Sequence, residues 1–391
     1  MRCDSRSLAI ENASIVTPQG VIENGSVKVV GGIIAAVGKG PVEGCERYLD
    51  ASGMYVLPGL IDLHSDAVEE EIEPRPGAFF PLAMAIGEMD KKLVACGITT
   101  MYHSISYNTH RIRSKRNNEI ASLIVSEVNR LAPVLGVRTR VHARFEISNA
   151  RAVPYLERLL AEGNIHLFSI MDHTPGQGQF REAASYKKLN ATPGVDDAAM
   201  DEHLSLKIRD AVPLNTAYIR QLIDQCRTLG IPVASHDDDS EDKLDIVEAM
   251  GVKISEFPIN MATAASATHR GMDILFGAPN VVRGGSTSGN LDARAAIRAG
   301  VGDILCSDYM PTSLVHAVFA VEQIGIPLHQ AVNMASLNPA RAARIDSQTG
   351  SLEAGKSADL IVVDCAGEVP RVLKTFVEGR EVYATCRLSP M

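Results

Sequence analysis

Residues 58–66 read PGLIDLHSD and give the strongest indication of the fold. A nearly continuous apolar run there ends in a histidine and an aspartate, His64 and Asp66. Residues two apart on a β-strand point to the same face, so this imidazole and this carboxylate can bind one ion together. The stretch predicts a buried strand that ends either in the first ligands of a metal site or in ordinary polar residues.

Seven further apolar runs follow this strand, and segments with helical periodicity, most of them closing on glycine, lie between them. Eight such repeats over about 280 residues favour a (β/α)8 TIM barrel, whose usual length is about 250 residues. An open doubly wound sheet is the alternative, but no Gly-x-Gly-x-x-Gly or P-loop motif follows any run. The seven runs are ITTMYHSIS, VRTRVHARFEIS, IHLFSIMDHTP, IPVASHDDD, VKISEFPIN, NVVRGGS and DILCSDYMP.

Both ends of the chain have a different texture from its middle. Short runs of alternating or β-branched residues, such as GSVKVVGGIIAAVG and DLIVVDCAG, are broken there by Gly, Pro and Asn. This pattern is typical of strands and turns. We therefore expect a small β-sandwich domain built from residues 1–57 and 346–391, around a catalytic α/β barrel of residues 58–345.

The composition is that of an ordinary globular protein, with 46% apolar and 22% charged residues among 391. A net charge of −9 argues against nucleic-acid binding, which needs a dominant basic face. No apolar stretch is long enough to span a bilayer and no secretory signal pattern is present, so we expect a cytoplasmic protein without a membrane partner. The seven cysteines form no CxxC pair, which indicates neither a disulfide framework nor a thiolate zinc site. Assembly into a homo-oligomer is left open.

Ligand-type side chains recur where five of the eight runs end. A single histidine on an apolar run is usually a satisfied core residue, and an aspartate such as Asp308, just before Pro311, is often a helix cap. Their repetition at the carboxyl ends of barrel strands, where such barrels place their chemistry, favours a site for one or two divalent ions of zinc, manganese or iron. The candidate ligands are His64, Asp66, Glu146, His173, His236 and Asp308.

Two carboxylates compete for a bridging position between two ions. Glu146 shares one strand face with His142 and Arg144, whereas the adjacent Asp172 and His173 must point in opposite directions on a strand. We prefer Glu146, and the choice between it and Asp172 stays open. The acidic stretch HDDDSED, residues 236–242, is expected beyond its histidine to cap the next helix.

Two glycine-rich loops are suited to an anionic ligand. HTPGQGQFR, residues 173–181, offers freed backbone N–H groups and polar side chains, and RGGSTSGN, residues 283–290, does the same ahead of a helix. A plain turn is the alternative for each loop, and RIRSKR at 111–116 is either a basic patch or a solvated helix surface. The candidate substrate-binding residues are Arg144, Gly176, Gln177, Arg181, Arg283 and Ser286.

These motifs resemble the amidohydrolase superfamily over essentially the whole chain. The resemblance rests on PGLIDLHSD after a β segment, on His236 and Asp308 at their strand ends, and on NPARAARIDSQTGSLEAGKSADLIVVD at 338–364. Most members have His-x-His where this sequence has His-x-Asp. HSDAVEEEIEPRPG, FSIMDHTPGQGQFR, ASHDDD, RGGSTSGN and SDYMPTSLVHA are together similar to the branch of the superfamily that serves phosphonate metabolism.

The resemblance implies a metal-dependent hydrolase acting on a phosphorylated small molecule. The implied reaction converts a ribose 1-methylphosphonate 5-triphosphate to the 5-phosphate and diphosphate in the carbon–phosphorus lyase pathway, with Asp308 as general base. One alternative is a cyclic amidase or deaminase on the same scaffold. Another is a catalytically silent barrel that acts as an assembly subunit, which we expect to have lost metal ligands.

Overall fold

The computed structural model describes residues 7–75, 77–108, 117–174, 197–286 and 289–386. A parallel barrel forms its centre, and both ends of the chain build a second sheet beside it. The amino-terminal strands are β1 (Leu8–Thr17), β2 (Gly20–Val30), β3 (Ile33–Lys39), β4 (Arg47–Asp50) and β5 (Tyr55–Pro58). The barrel strands are β6 (Leu60–Ser65), β7 (Ile98–Tyr107), β8 (Arg138–Glu146), β9 (Leu167–Met171), β10 (Val233–His236), β11 (Ile254–Glu256), β12 (Asp273–Gly277) and β13 (Ile304–Cys306). The carboxyl-terminal strands are β14 (Leu360–Asp364), β15 (Arg371–Val377) and β16 (Arg380–Ala384).

The second sheet joins the two ends of the chain edge to edge, through the pair β14 and β5. Its order is β16-β15-β14-β5-β1-β2-β3, and β4 also pairs with β1. β5 runs parallel to β1 on one side and antiparallel to β14 on the other, where Pro58 lies opposite Leu360. This sheet confirms a small β domain built from both termini. The residue boundaries given above for the two domains stay predictions.

The barrel strands follow one another in chain order, all parallel, from β6 to β13. At the carboxyl ends of the strands, here called the mouth, Asp308 closes the gap between the last strand and the first. Its N–H donates to the His64 carbonyl and its own carbonyl accepts from the Asp66 N–H, each at 2.9 Å. The predicted (β/α)8 barrel is confirmed, and its closure at the mouth runs through three predicted site residues.

A loop near residue 335 fills the same gap at the opposite end of the barrel, here called the floor. The N–H of Leu305 donates to the Met334 carbonyl, and the N–H of Ile61 donates to the Ala335 carbonyl. Between these levels the buried carboxylate of Asp62 accepts from the N–H groups of Ser307 and His64, at 3.1 and 3.2 Å. Hydrogen bonds therefore close the seam between β6 and β13 at the mouth, at the floor and between these two levels.

Helices surround the barrel, and the helix Asn118–Leu131, which follows β7, illustrates why they form. The side chain of Asn117 accepts from the Ile120 N–H at its start, and buried residues recur on one face at the spacing of an amphipathic helix. Glycines with positive φ follow several helices, as predicted. The described helices are α1 (Ala67–Ile72), α2 (Leu82–Ala95), α3 (Asn118–Leu131), α4 (Val153–Ala161), α5 (Asp197–Arg209), α6 (Ala217–Thr228), α7 (Glu241–Ala249), α8 (Met261–His269), α9 (Ala278–Arg283), α10 (Ala293–Arg298), α11 (Ser313–Gln323), α12 (Leu328–Asn333) and α13 (Leu337–Ala342), with 3-10 turns at Ala132–Val134 and Ala150–Ala152.

The position predicted for the seventh barrel strand was wrong. NVVRGGS contributes the end of helix α9, whereas the strand is the preceding DILFG segment, Asp273–Gly277. Pro279 in the first turn and Gly284 in a left-handed conformation at the end bound this helix. These local signals decide the structure against the β-branched pair Val281 and Val282.

Three buried apolar clusters hold the molecule together. The largest lies between the barrel strands and the surrounding helices, a second packs within the terminal sheet, and a third fills the barrel interior. Leu63, Tyr102 and Leu275 belong to this interior cluster, so the barrel is a packed core with its chemistry at one end. Among the described helices, none is long and apolar enough to cross a bilayer.

Candidate metal centre

Three imidazoles from three different strands meet at the mouth of the barrel. His64 is the second-last residue of β6, His236 is the last residue of β10, and His173 follows β9 by two residues. The ring centroid of His236 lies 5.5 Å from that of His64 and 5.5 Å from that of His173. All three side chains are buried. The structure thus brings together three of the six predicted ligands.

Glu256 orients His64. The Nδ1 of His64 donates to Glu256 Oε1 at 3.0 Å, which leaves Nε2 with a lone pair and no hydrogen-bond partner among the described residues. Burial, followed by the nearby Arg144 and His236, lowers the pKa of His64 well below its usual value, so the ring is neutral. Ligand atoms of His64, His236 and Glu256 lie within 4.8 Å of one another and form what we call the first ligand group.

A fourth imidazole, His142 on β8, faces the same point. Its Nδ1 donates to the Leu63 carbonyl at 3.0 Å, and its Nε2 lies 3.9 Å from Glu256 Oε1. Burial lowers the pKa of His142 to about 3, against the opposing effect of Glu256. A neutral imidazole whose other nitrogen carries the proton presents a lone pair there. The lone pair of His142 Nε2 and the carboxylate oxygen of Glu256 therefore face each other across a gap that suits a metal cation.

His173, His236 and Asp237 form the second ligand group, with ligand atoms within 4.8 Å of one another. Asp237 Oδ2 lies 2.9 Å from His236 Nδ1 and 3.6 Å from His173 Nε2. Burial opposes ionisation of Asp237, but the two imidazoles outweigh it and lower the pKa of this carboxyl. The group thus combines two imidazoles with an ionised carboxylate.

Glu146 binds His173 in this structure. Its Oε2 accepts from His173 Nδ1 at 2.7 Å, and its Oε1 accepts from the His173 N–H at 3.0 Å. Burial would raise the pKa of Glu146, but Lys207 and His173 outweigh it and lower that pKa to about 2. Neither ligand group found among the described residues includes Glu146, so its role as a ligand stays a prediction. Asp172 accepts from the Thr174 N–H at 3.0 Å.

Asp66, Arg144 and Asp308 line the same mouth. The Nη2 of Arg144 donates to His236 Nε2 at 3.1 Å, and its Nη1 lies 3.8 Å from Asp66 Oδ2. Burial first, and then the charge of Asp66, raise the pKa of Asp308 to about 7 despite the opposing Arg144. Arg144 is therefore placed among the carboxylates and imidazoles, as an anion-binding residue requires.

Strained backbone turns end three of the barrel strands at the mouth. Asp237, Phe257 and Asp308 have φ of 54°, 55° and 57°, a region that residues with a Cβ adopt at a cost. Their N–H groups still pair with the neighbouring strand, at 2.8 to 2.9 Å. The turn at Phe257 places its ring edge-on to His64, with centroids 5.0 Å apart, which restricts that imidazole. These three turns aim side chains at the ends of their strands.

The predicted anion-binding residues have mixed outcomes. Gly176, Gln177 and Arg181 lie outside the described residues. Arg283 is exposed at the end of helix α9, and Ser286 follows it at intermediate exposure. Among the three predicted substrate-binding residues that the structure describes, Arg144 is the one whose contacts place it among the ligand groups.

The residues of the acidic stretch after His236 have different structural roles. Ser240 caps helix α7 as expected, because its side chain accepts from the Lys243 N–H. The neighbouring Asp238 is buried and accepts hydrogen bonds from Ser235 and Ser255, which joins β10 to β11. Asp237 departs from the expectation that the stretch beyond His236 caps the next helix, because its left-handed backbone turns the carboxylate towards the imidazoles.

Four features of the site were not predicted from the sequence: Glu256, Asp237, Lys207, and the lone pair that His142 presents to the site. Glu256 ends the short strand ISE within a run that was recognised as the sixth strand, so a carboxylate at a strand end was the available signal. Lys207 belongs to a helix that the sequence analysis did not identify, and no local pattern connects it to Glu146.

The donors present fit a divalent cation. Neutral imidazole and ionised carboxylate are typical ligands of zinc, manganese and iron. His64 Nε2, His142 Nε2 and Glu256 Oε2 are buried acceptors without hydrogen-bond partners among the described residues, and such atoms are costly unless a ligand binds them. The residues therefore suit at least one ion.

Comparison with known proteins gives a consistent picture. Residues 178–382 match the model of the Amidohydrolase family. The chain is 33% identical over 385 residues to the alpha-D-ribose 1-methylphosphonate 5-triphosphate diphosphatase of Escherichia coli (strain K12), which covers 96% of this chain and all of that protein. It is 22% identical to an imidazolonepropionase of Thermoplasma acidophilum over 90% of this chain and 85% of that one.

Solved structures of low sequence identity share the fold. The structure of a Xaa-Pro dipeptidase with bound methionine superposes with a TM-score of 0.66 at 15% identity, covering 97% of this chain and all of that one. At this identity the similarity concerns the architecture alone.

Proposed function

The chain belongs to the amidohydrolase family, and we propose that this hydrolase cleaves alpha-D-ribose 1-methylphosphonate 5-triphosphate to the 5-phosphate and diphosphate. The reaction would serve phosphonate catabolism through the carbon–phosphorus lyase pathway. The observation that carries this proposal is the 33% identity to a diphosphatase over the full length of that relative. The two ligand groups at the mouth support it, because phosphoric anhydride hydrolysis at neutral pH commonly needs divalent cations.

The first ligand group, His64, His236 and Glu256, would hold one cation, and His173 with Asp237 would hold a second. A bound divalent cation would supply Lewis acidity towards phosphoryl oxygens and would lower the pKa of water to about 7. Glu256 fixes the tautomer of His64, and Glu146 does the same for His173. These carboxylates aim the imidazole lone pairs into the mouth.

Arg144 would bind the phosphate chain. Its guanidinium lies beside both ligand groups, with Nη2 on His236 and Nη1 near Asp66, and guanidinium groups suit the paired oxygens of phosphates. Charge that accumulates on the departing diphosphate would be stabilised there. The glycine-rich loop at 173–181 is assigned the same task by its sequence.

Asp308 would accept a proton from the attacking water. Its carboxylate stands at the seam of the barrel, beside β6 and its ligand His64, and its pKa is raised to about 7 by burial and by Asp66. A carboxylate with a pKa near the working pH is an effective general base. Asp62 lies below and accepts two backbone hydrogen bonds, so it serves the barrel seam.

Phosphorus NMR of the purified protein with this triphosphate tests the proposal. We expect one diphosphate and one 5-phosphate per substrate, and in heavy-oxygen water the label should enter the 5-phosphate, because attack at the α-phosphorus releases unlabelled diphosphate. Protein stripped of metal by a chelator is the control and should recover on adding Zn²⁺ or Mn²⁺.

A cyclic amidase or deaminase is the second candidate, since an imidazolonepropionase also matches most of the chain. Turnover of hydantoins or purines with no diphosphate released from the triphosphate would overturn the proposal in its favour.

A further inference from the structure

Lys207 is a buried lysine on the last turn of helix α5. Its side chain is 3% exposed, and it is the one lysine among the described residues classed as buried. Helix α5 belongs to the connection between β9 and β10, outside the barrel strands. Burying an ammonium is costly unless an opposite charge compensates it. The position therefore needs a partner that justifies the cost.

Glu146 is such a partner, and its Oε1 lies 3.7 Å from Lys207 Nζ. The contacts continue inward from there: Glu146 Oε2 accepts from His173 Nδ1 at 2.7 Å, and His173 Nε2 lies 3.6 Å from Asp237 Oδ2. A continuous line of charged and polar contacts thus joins α5 to the second ligand group. The metal-ligand atoms lie at the barrel end of this line, and the ammonium group of Lys207 lies at its helix end.

We propose that Lys207 is a positioning residue for the second ligand group, and that docking of helix α5 on the mouth is coupled to cation binding by His173 and Asp237. This proposal depends on the proposed cation site and is independent of the proposed substrate.

The physical reason lies in the charge of Glu146. Its carboxylate is 1% exposed and accepts from His173 through both the ring and the backbone. With Lys207 in place, this buried anion is compensated and stays against the imidazole. Without the ammonium, the carboxylate gains solvation by turning outward, and the imidazole loses the bond that aims its Nε2. The metal cation should then bind more weakly, because the His173 ring is free to rotate.

The coupling has a thermodynamic counterpart. A cation that binds only when His173 is aimed also favours the conformation in which Lys207 and Glu146 are paired. Loading the site should therefore protect the backbone amides of α5 from exchange, although no described residue of α5 is a member of either ligand group.

Zn²⁺ binding to the full-length protein is the first test. Chelator-buffered titrations would be made on the wild type, Lys207→Met, Lys207→Arg and Arg209→Met. The last is a matched control, because Arg209 is two residues away on the same helix, 68% exposed and paired with Asp210. We expect Lys207→Met to weaken one Zn²⁺ site by about 10- to 100-fold, the usual cost of losing a residue that supports a ligand. Lys207→Arg should stay within about threefold, because it keeps the charge.

A double-mutant cycle with Glu146→Gln separates positioning from general destabilisation. If Lys207 acts through Glu146, the double variant should lose about as much Zn²⁺ affinity as either single variant. Additive losses would overturn the proposal, and so would equal weakening at all Zn²⁺ sites or the same effect in Arg209→Met. If Lys207→Met does not fold, Glu146→Gln alone must show the loss.

Hydrogen exchange of α5 is the second test. In the wild type, Zn²⁺ should slow exchange of the amides of residues 197–209, and in Lys207→Met this Zn²⁺-dependent protection should disappear. Protection that is unchanged by Zn²⁺ in the wild type would contradict the coupling. Neither measurement uses a substrate, so failure of the diphosphatase assay leaves this result interpretable. Unchanged Zn²⁺ affinity in Lys207→Met would overturn the proposal, whatever the effect of this substitution on turnover.

Discussion

The two ends of the barrel differ in how fully their buried polar groups are hydrogen-bonded. At the floor, the buried carboxylate of Asp359 accepts from Arg138 at 2.8 Å, from Thr349 at 2.7 Å, and from Ser357 and the Glu378 N–H. At the mouth, His64 Nε2 and Glu256 Oε2 are buried acceptors with no hydrogen-bond partner among the described residues. A saturated network contributes to stability, whereas unsatisfied donors of electron pairs are available to a ligand.

The backbone shows the same contrast. Turns that enter strands from the floor place glycine at positive φ, as at Gly97 and Gly271 with φ of 79° and 68°. Turns that leave strands at the mouth place Asp237, Phe257 and Asp308 in that region. Glycine adopts it without strain, whereas other residues pay on the order of 1 kcal/mol or more. The turns that leave these three strands at the mouth thus accept strain that aims their side chains, whereas the turns that enter strands at Gly97 and Gly271 avoid it.

The same substitution at the two ends of β13 should give the largest difference. Asp308→Asn at the mouth should lower kcat by about 100- to 10,000-fold, the usual contribution of a positioned base, while Zn²⁺ content stays near that of the wild type. Asp303→Asn at the floor should leave kcat unchanged. Steady-state kinetics together with elemental analysis would measure both. Unchanged turnover in Asp308→Asn would reject its role as the base.

The floor network should matter for stability and hardly for catalysis. Asp359→Ala should lower the free energy of unfolding by about 3 kcal/mol or more, because it leaves Arg138 beside a vacated buried site. Activity per folded molecule should persist. Glu88→Ala is the control: it removes an exposed pair with Lys91 on helix α2 and should cost less than about 1 kcal/mol. Urea unfolding followed by circular dichroism would measure the difference, and equal losses would erase the contrast.

The smallest effect concerns the pH dependence of stability. Burial raises the pKa of Asp303 from 3.8 to about 6 in the folded state, so the folded protein binds this proton more tightly than the unfolded chain. The resulting stabilisation is fully present below pH 3.8 and is lost as the pH rises through about 6. Asp303→Asn should flatten this part of the stability profile by on the order of 1 to 2 kcal/mol. Urea midpoints at several pH values would test it, and an unaltered profile would assign the slope to other groups.

The sequence predicts well what a periodic pattern or a strand end encodes. The barrel, the terminal β domain, and the convergence of His64, His173 and His236 all follow from apolar runs and the polar residues that close them. These features depend on local order along the chain, because strand ends in a parallel barrel necessarily meet.

Features that depend on backbone conformation or on distant contacts were not predictable in this way. The carboxylate of Asp237 faces the site because its backbone is in a left-handed conformation, and the local sequence does not predict this conformation. Glu146 binds His173 because Lys207, 61 positions later in the numbering, lies beside it. The seventh strand was misplaced because two valines favour a strand locally, while a proline and a glycine bound a helix.

The terminal sheet, in which distant parts of the chain pair, has a consequence for synthesis on the ribosome. β5 emerges about 300 residues before β14, one of its two neighbours, and pairing over such sequence separation is slow. Until β14 has emerged, β5 presents an unpaired edge. A nascent chain is therefore exposed to aggregation and chaperone capture at this edge, and pairing with β14 ends that exposure.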